Sequence, residues 1–355
     1  MSIEIPVERT RQPKPRPAED SYGFGKYFSD HMLISEYANG GWAKTRICPY
    51  QPLPLDPGAS VLHYGQALFE GMKAFRGVDN KVRLFRPERN WHRMQSGAER
   101  LCMQAPSKEL FLDGVEAFVR ADKDWVPRRE NTSLYLRPTL IGTEGFLGVR
   151  ASEAYMFYVI GSPVGSYFSE GQETVKIWIE RELSRAAPGG IGAVKAGGNY
   201  ASSLLASQRA RAKGFSQVLW LDAASKRYVE EVGTMNIFFK IAGKTITPSL
   251  SGTILPGVMR DSCIDWLRAN NHTVEERPIE IAEVMAAAKS GSLEEAWGTG
   301  TAASISPIGE FASADGSFAI NANRAGPLAK ALFTGFMDLF YGRARDEMGW
   351  TTVVD

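Results

Sequence analysis

Gly189-Gly190-Ile191-Gly192-Ala193-Val194-Lys195-Ala196-Gly197-Gly198-Asn199-Tyr200 sets one lysine among five glycines and small apolar residues, just ahead of a helical stretch. Lysines ordinarily sit on solvated faces beside other charges. Here the glycine flanks let a bulky group approach the backbone. An amine held in apolar surroundings loses basicity and becomes a nucleophile able to form a Schiff base. Taken alone, the segment also reads as a flexible glycine loop carrying a solvated lysine.

Downstream, Val229-Glu230-Glu231-Val232-Gly233-Thr234-Met235-Asn236 places two carboxylates between apolar residues and a glycine. A carboxylate in such a place keeps a pyridine nitrogen protonated, which a pyridoxal phosphate ring requires to act as an electron sink. Ile254-Leu255-Pro256-Gly257-Val258-Met259-Arg260 opens a helix with Pro-Gly. The amides of Val258 and Met259, with the helix dipole behind them, suit a phosphate. Gly298-Thr299-Gly300-Thr301-Ala302-Ala303-Ser304 offers backbone N–H groups and hydroxyls for a phosphate or a carboxylate. Arg93, within Asn90-Trp91-His92-Arg93-Met94, is an arginine among aromatic and apolar neighbours, fit to clamp a phosphate. Each segment has an ordinary alternative: charges at a turn, a helix start that binds only water, a surface ion pair. Together, in this order, they form the parts list of one pyridoxal phosphate site.

The surrounding chain is consistent with a two-domain globular protein. Its 355 residues are 44% hydrophobic and 23% charged. The net charge of +1 gives no general attraction to nucleic acid or anionic membrane. Three scattered cysteines without C-x-x-C, and four histidines without H-E-x-x-H or H-x-H spacing, point to a reducing compartment with no disulfide framework and no metal centre. No run of 18 apolar residues exists to span a bilayer, and the N-terminus has no apolar signal region, so the cytoplasm is the expected location. Residues 1–20, with four prolines before residue 18, read as a mobile tail. A domain is expected over 21–165, a connection over 166–176 and a second domain over 177–355.

Apolar spacing predicts helices near 107–125, 201–213, 258–269, 281–289 and 328–341. Strands are predicted near 80–86, 134–141, 154–160, 175–179, 216–221, 236–241, 244–247 and 295–297. Helices and strands interleave without a strict βαβ rhythm, which favours α+β with mixed sheets. No G-x-G-x-x-G follows a strand and no P-loop is present.

The order and wording of these segments resemble the branched-chain amino acid aminotransferases of pyridoxal phosphate (PLP) fold type IV. The resemblance runs from Phe24-Gly25-Lys26-Tyr27-Phe28-Ser29-Asp30-His31-Met32 to the final helix. Its most specific stretches are Leu62 to Phe75, Leu134-Tyr135-Leu136-Arg137-Pro138, Val194 to Tyr200, Glu231 to Asn236 and Leu255-Pro256-Gly257-Val258. It implies a D-amino acid aminotransferase-like α+β fold, with a small N-terminal domain, a larger C-terminal domain and the cofactor in the cleft. It implies transfer of the amino group between L-Leu, L-Ile or L-Val and 2-oxoglutarate, with L-glutamate as product, by a homodimer.

By similarity, Lys195 is the catalytic residue that joins the cofactor and shuttles the proton between Cα and C4′. Glu231 is the partner of the pyridine nitrogen and Tyr200 the donor to the phenolic oxygen. Arg93, the Val258 and Met259 amides and Thr301 form the phosphate cup. Phe24, Tyr64, Phe69, Tyr135, Arg137, Tyr167, Thr234 and Ala302 form the substrate pocket, partly from the neighbouring subunit. The aromatic wall would favour aliphatic side chains by roughly 1.5–3 kcal/mol each, while Arg137 would meet the γ-carboxylate of glutamate. Some animal members carry C-x-x-C just after the Gly/Thr turn, where this chain has Ala303-Ser304-Ile305-Ser306, so no thiol switch is expected there. The nearest rivals are a D-amino acid aminotransferase, an aminodeoxychorismate lyase and a non-catalytic anion-binding scaffold.

Overall fold

Ser107 caps a helix, its hydroxyl accepting from the Leu110 amide at 3.1 Å. The helix then buries Leu110, Phe111, Val115, Phe118 and Val119 on one stripe. Gly114 on that stripe lets the helix lie close to Leu33, whose Cδ2 would stand 2.8 Å from an added Cβ. This is the pattern of the first part of the computed structural model, which describes residues 3–165 and 173–354.

In chain order, the elements begin with β1 (His31–Ala38), β2 (Gly41–Pro49), α1 (Ser60–Tyr64), β3 (Ala67–Phe69), β4 (Met72–Arg76) and β5 (Val82–Phe85). Then follow α2 (Pro87–Arg100), the capped helix α3 (Lys108–Ala121), β6 (Ser133–Gly142) and β7 (Tyr155–Val164). The second half contains β8 (Val175–Ile179), α4 (Gly197–Ser202), α5 (Leu204–Ala212), β9 (Gln217–Leu221), β10 (Val229–Val232), β11 (Asn236–Ile241) and β12 (Lys244–Thr247). It continues with α6 (Val258–Ala269), β13 (Val274–Glu276), α7 (Ile281–Ser290), β14 (Leu293–Gly300), β15 (Ser304–Ser313), β16 (Gly316–Ala319), α8 (Pro327–Phe340) and β17 (Thr351–Val354).

The described residues fall into two units, each with its own sheet. One comprises 3–165, Val194–Gly197 and 337–354; the other comprises 173–193 and 198–336. The first sheet is antiparallel throughout, in the order β17-β5-β4-β6-β7-β1-β2, with β3 also on β6. The second is mixed, in the order β10-β9-β8-β15-β14-β11-β12-β13, with β8 parallel to both β9 and β15. Ile177, Leu219, Ile237, Phe239, Val284 and Phe311 lie in its core. Ala242 and Gly243, both at positive φ, turn β11 into β12.

Two expectations change. Residues 3–20, expected as a tail apart from the fold, are hydrogen-bonded to the first unit. Pro6 and Glu8 exchange backbone hydrogen bonds with Ile47, the Thr10 amide donates to His31 Nε2 at 3.0 Å, and the Lys14 amide donates to Asp30. Prolines suit this course because an extended strap does not need every N–H. A single cut near 166–176 also fails to divide the chain. Val194–Gly197 joins the first unit because Leu68 bridges to Ala196, and β17 joins it because Thr351 to Val354 pair with β5. The two units are comparable in size, so the N-terminal one is not the small partner.

Candidate active site

In the first unit, the Phe69 amide donates to the Lys195 carbonyl at 3.1 Å, fixing the lysine segment beside β3. Lys195 Nζ lies 4.8 Å from the centre of the Phe69 ring. The side chain keeps some accessible surface, but the protein packed around the amine desolvates it. Burial pushes its pKa down to about 8, Arg93 pushes in the same direction, and Glu70 opposes.

Arg93 sits on the buried face of α2 with Asn90, Met94 and Gly97, spaced as one side of a helix requires. Its guanidinium grips the Glu70 carboxylate through Nε at 2.8 Å and Nη2 at 2.6 Å. Asn90 donates to the same carboxylate at 2.7 Å. Tyr135 and Arg137 occupy alternate positions of β6 and so share a face. The Arg137 guanidinium lies 4.7 Å from the Phe69 ring and 5.2 Å from the Tyr135 ring, and Nη2 donates to the Tyr135 hydroxyl at 3.2 Å. Its Nε is buried without a hydrogen-bond partner. Phe24 meets Tyr135 edge-on at 4.9 Å. Tyr135 needs Gly71 beside it, since a Cβ there would fall 2.1 Å from the hydroxyl oxygen. Lys73, opposite Tyr135 across β4 and β6, is also pushed down to about 8 by burial.

In the second unit, β10 carries the consecutive carboxylates of Glu230 and Glu231. Glu231 is buried. Its Oε2 accepts from Arg185 Nε at 2.9 Å and its Oε1 from the Leu255 amide at 2.7 Å. Arg185 spends its other donors on the carbonyls of Thr253 and Gly192. Tyr200, Ser203 and Thr234 line one small cavity with Arg185 and Glu231. Glu230 accepts from the Thr253 hydroxyl, and burial raises its pKa.

The segment that reaches Glu231 through Leu255 continues into α6, which no side chain caps, so the amides at Val258 and Met259 meet the conditions of an anion site. Asn236 braces the approach: its Nδ2 donates to the Leu255 carbonyl at 2.9 Å, and its Oδ1 would stand 2.0 Å from a Cβ on Gly257. β14 pairs with β11 from Asn236–Thr299 onward, and Thr301, Ala302 and Ala303 turn it into β15.

The structure thus groups Lys195, Arg93, Phe69, Tyr135, Arg137 and Phe24 in one unit. It groups Tyr200, Glu231 and Thr234 in the other, tied to the turns bearing Val258, Met259, Thr301 and Ala302. Tyr64, on α1, directs its hydroxyl to the Leu147 carbonyl. Tyr167 lies outside the described residues. Glu70, Asn90 and Arg185 were not foreseen. The one local signal was Glu70 itself, a carboxylate set between Leu68-Phe69 and Gly71-Met72.

A model of the amino-transferase class IV family matches residues 67–311. The chain belongs to this family. As a class IV aminotransferase it is 51% identical to branched-chain-amino-acid aminotransferase 2 of Bacillus subtilis (strain 168), over 99% of this chain and 97% of that protein. It is 47% identical to branched-chain-amino-acid transaminase 1 of the same organism, over the whole of both chains. Among solved structures, the branched-chain amino acid aminotransferase of Escherichia coli superposes with a TM-score of 0.75 at 25% identity, covering 92% of this chain and 99% of that one. The class IV aminotransferase fold is therefore the expected α+β fold. Among the described residues, no helix is long and apolar enough to cross a membrane.

Proposed function

We propose that this class IV aminotransferase moves the amino group reversibly between L-leucine, L-isoleucine or L-valine and 2-oxoglutarate, yielding the branched-chain 2-oxo acid and L-glutamate. The reading follows the names of its full-length relatives. The observation that carries it is the Arg137 guanidinium set 4.7 Å from the centre of the Phe69 ring and 5.2 Å from that of Tyr135. One pocket must accept an aliphatic side chain and also a γ-carboxylate. Flat aromatic walls favour the first by burial. A guanidinium stacked within them answers the second and is screened by the ring faces when no carboxylate is present.

The residues fit pyridoxal phosphate. A desolvated lysine near neutrality, a buried carboxylate held by two donors and an uncapped helix start that tolerates only glycine at its approach match the aldehyde, the ring nitrogen and the phosphate. When bound, the cofactor supplies a conjugated electron sink for the charge that develops at the substrate Cα. Lys195 would hold the cofactor through its amine and would move the proton released at the substrate Cα. Glu231 would keep the ring nitrogen protonated, and Tyr200 would donate to the phenolic oxygen. Arg93, the Val258 and Met259 amides and Thr301 would hold the phosphate. Phe24, Tyr64, Phe69, Tyr135, Arg137, Tyr167, Thr234 and Ala302 shape the substrate pocket, with a share from the second copy in a homodimer. The protein works in the cytoplasm.

The test is the visible spectrum of the pure protein before and after L-leucine, with borohydride trapping and peptide mass spectrometry. A yellow protein bleached by L-leucine, with the label on Lys195, supports the assignment. A label on another peptide, or none, refutes it. Turnover with L-leucine but not with D-alanine or aminodeoxychorismate separates the family's other reactions.

A further inference from the structure

Phe69 and Glu70 are consecutive, yet they serve two different groups. The Phe69 amide holds the Lys195 carbonyl at 3.1 Å. The Glu70 carboxylate, fully buried, takes the Nε–Nη2 edge of Arg93 at 2.8 and 2.6 Å and a third donor from Asn90 at 2.7 Å. Burial and, after it, the Arg93 guanidinium disfavour the protonated form of the Lys195 amine, and Glu70 opposes them. We propose that Glu70 is a positioning residue for the reaction: it fixes the guanidinium edge of Arg93 and offsets its charge, so that Lys195 can both hold and release a proton.

The inference rests on the proposed role of Lys195. The charged groups that act on the amine include Arg93 on α2, Glu70 after β3, and Tyr135 and Arg137 on β6, with Lys73 on β4 across from Tyr135. Arg93 and Arg137 disfavour the protonated form, while Glu70 and Tyr135 favour it. Glu70 is the one carboxylate in that set, and the amine lies beside its neighbour Phe69. With the Gly71 amide, which also donates to it at 3.3 Å, four donors leave the carboxylate little freedom, so its charge and its direction are both set.

The experiment follows the pH midpoint of the visible cofactor band in full-length holoenzyme. Glu70→Gln keeps the shape and removes the charge, and its midpoint is expected to fall by roughly one pH unit. Glu70→Asp keeps the charge and is expected to stay within about half a unit of the parent. A Glu70→Gln midpoint equal to the parent's overturns the proposal, even if the melting temperature drops, since that is a purely structural role. So does a Glu70→Asp shift as large as that of Glu70→Gln. If Glu70→Gln does not fold, Glu70→Gln/Arg93→Met removes both charges together. Its midpoint is expected at or above the parent's, and a value below it overturns the proposal. A parent protein with no visible band would instead refute the cofactor assignment itself.

Discussion

Arg185 Nε stands 2.9 Å from Glu231 Oε2, and both side chains are buried. A buried pair of this kind adds little net stability, yet removing one member strands the charge of the other at a cost of about 3–5 kcal/mol. Arg185→Ala is expected to lower the melting temperature sharply and to cut turnover, because the Glu231 carboxylate loses the donor that orients it. Calorimetry and a leucine turnover assay on the same preparation check both. Wild-type stability in Arg185→Ala would show that the pair does not hold Glu231.

Arg137 distinguishes the two halves of the reaction. Arg137→Gln is expected to raise the KM for 2-oxoglutarate roughly tenfold to a hundredfold, the worth of a charge-assisted hydrogen bond. The half-reaction with L-leucine, read as the rate of bleaching in single turnover, is expected to stay within about threefold of the parent. Equal losses in both halves would show that Arg137 supports the aromatic wall and does not read a carboxylate.

Gly257 is needed for space. Its φ is ordinary, but an added Cβ would sit 2.0 Å from Asn236 Oδ1. Gly257→Ala must displace Asn236 from the Leu255 carbonyl, at a cost of about 1–3 kcal/mol. Weaker retention of the phosphate-bearing cofactor in equilibrium dialysis is expected. Gly41→Ala, whose methyl would meet nothing within 4 Å, serves as the control and should match the parent.

Lys73 sets a pH dependence of stability. Burial lowers its pKa from 10.5 to about 8 in the folded chain. Between those values the unfolded chain keeps a proton that the folded chain has released, so stability rises with pH across that window. Below about 8 both forms are charged and the folded one carries the full desolvation cost. Lys73→Met is therefore expected to be more stable than the parent at pH 7, with the difference shrinking as the pH rises toward 10.5. Denaturant melts across that range measure it, and a difference independent of pH would contradict desolvation of the ammonium as its origin.

What could be read from the sequence depended on how local the signal was. Val258–Ala269 and Lys108–Ala121 carried their own apolar stripes, the second with its Ser107 cap, and the β11–β12 hairpin carried its own turn residues. β15 was missed because Ser304-Ile305-Ser306-Pro307-Ile308-Gly309 breaks the strand pattern with a proline and a glycine, although it pairs on both sides. The β1–β2 hairpin was missed because the turn at Asn39-Gly40 was not set against the apolar run before it. At the site, Lys195 and Glu231 stood out through their glycine and apolar neighbours. Glu70 and Arg185 did not, because their meaning lies in a partner 23 or 46 residues away that only folding supplies.

The return of β17 to β5 has a consequence for synthesis. Thr351 to Val354 supply the outermost strand of a sheet whose other members are all complete by Val164. A nascent polypeptide that has not yet reached Thr351 exposes the backbone of β5 as a ladder open to any extended neighbour. The earliest-made sheet thus waits for a strand made long after it, and until then β5 carries an open rim that β17 covers in the finished molecule.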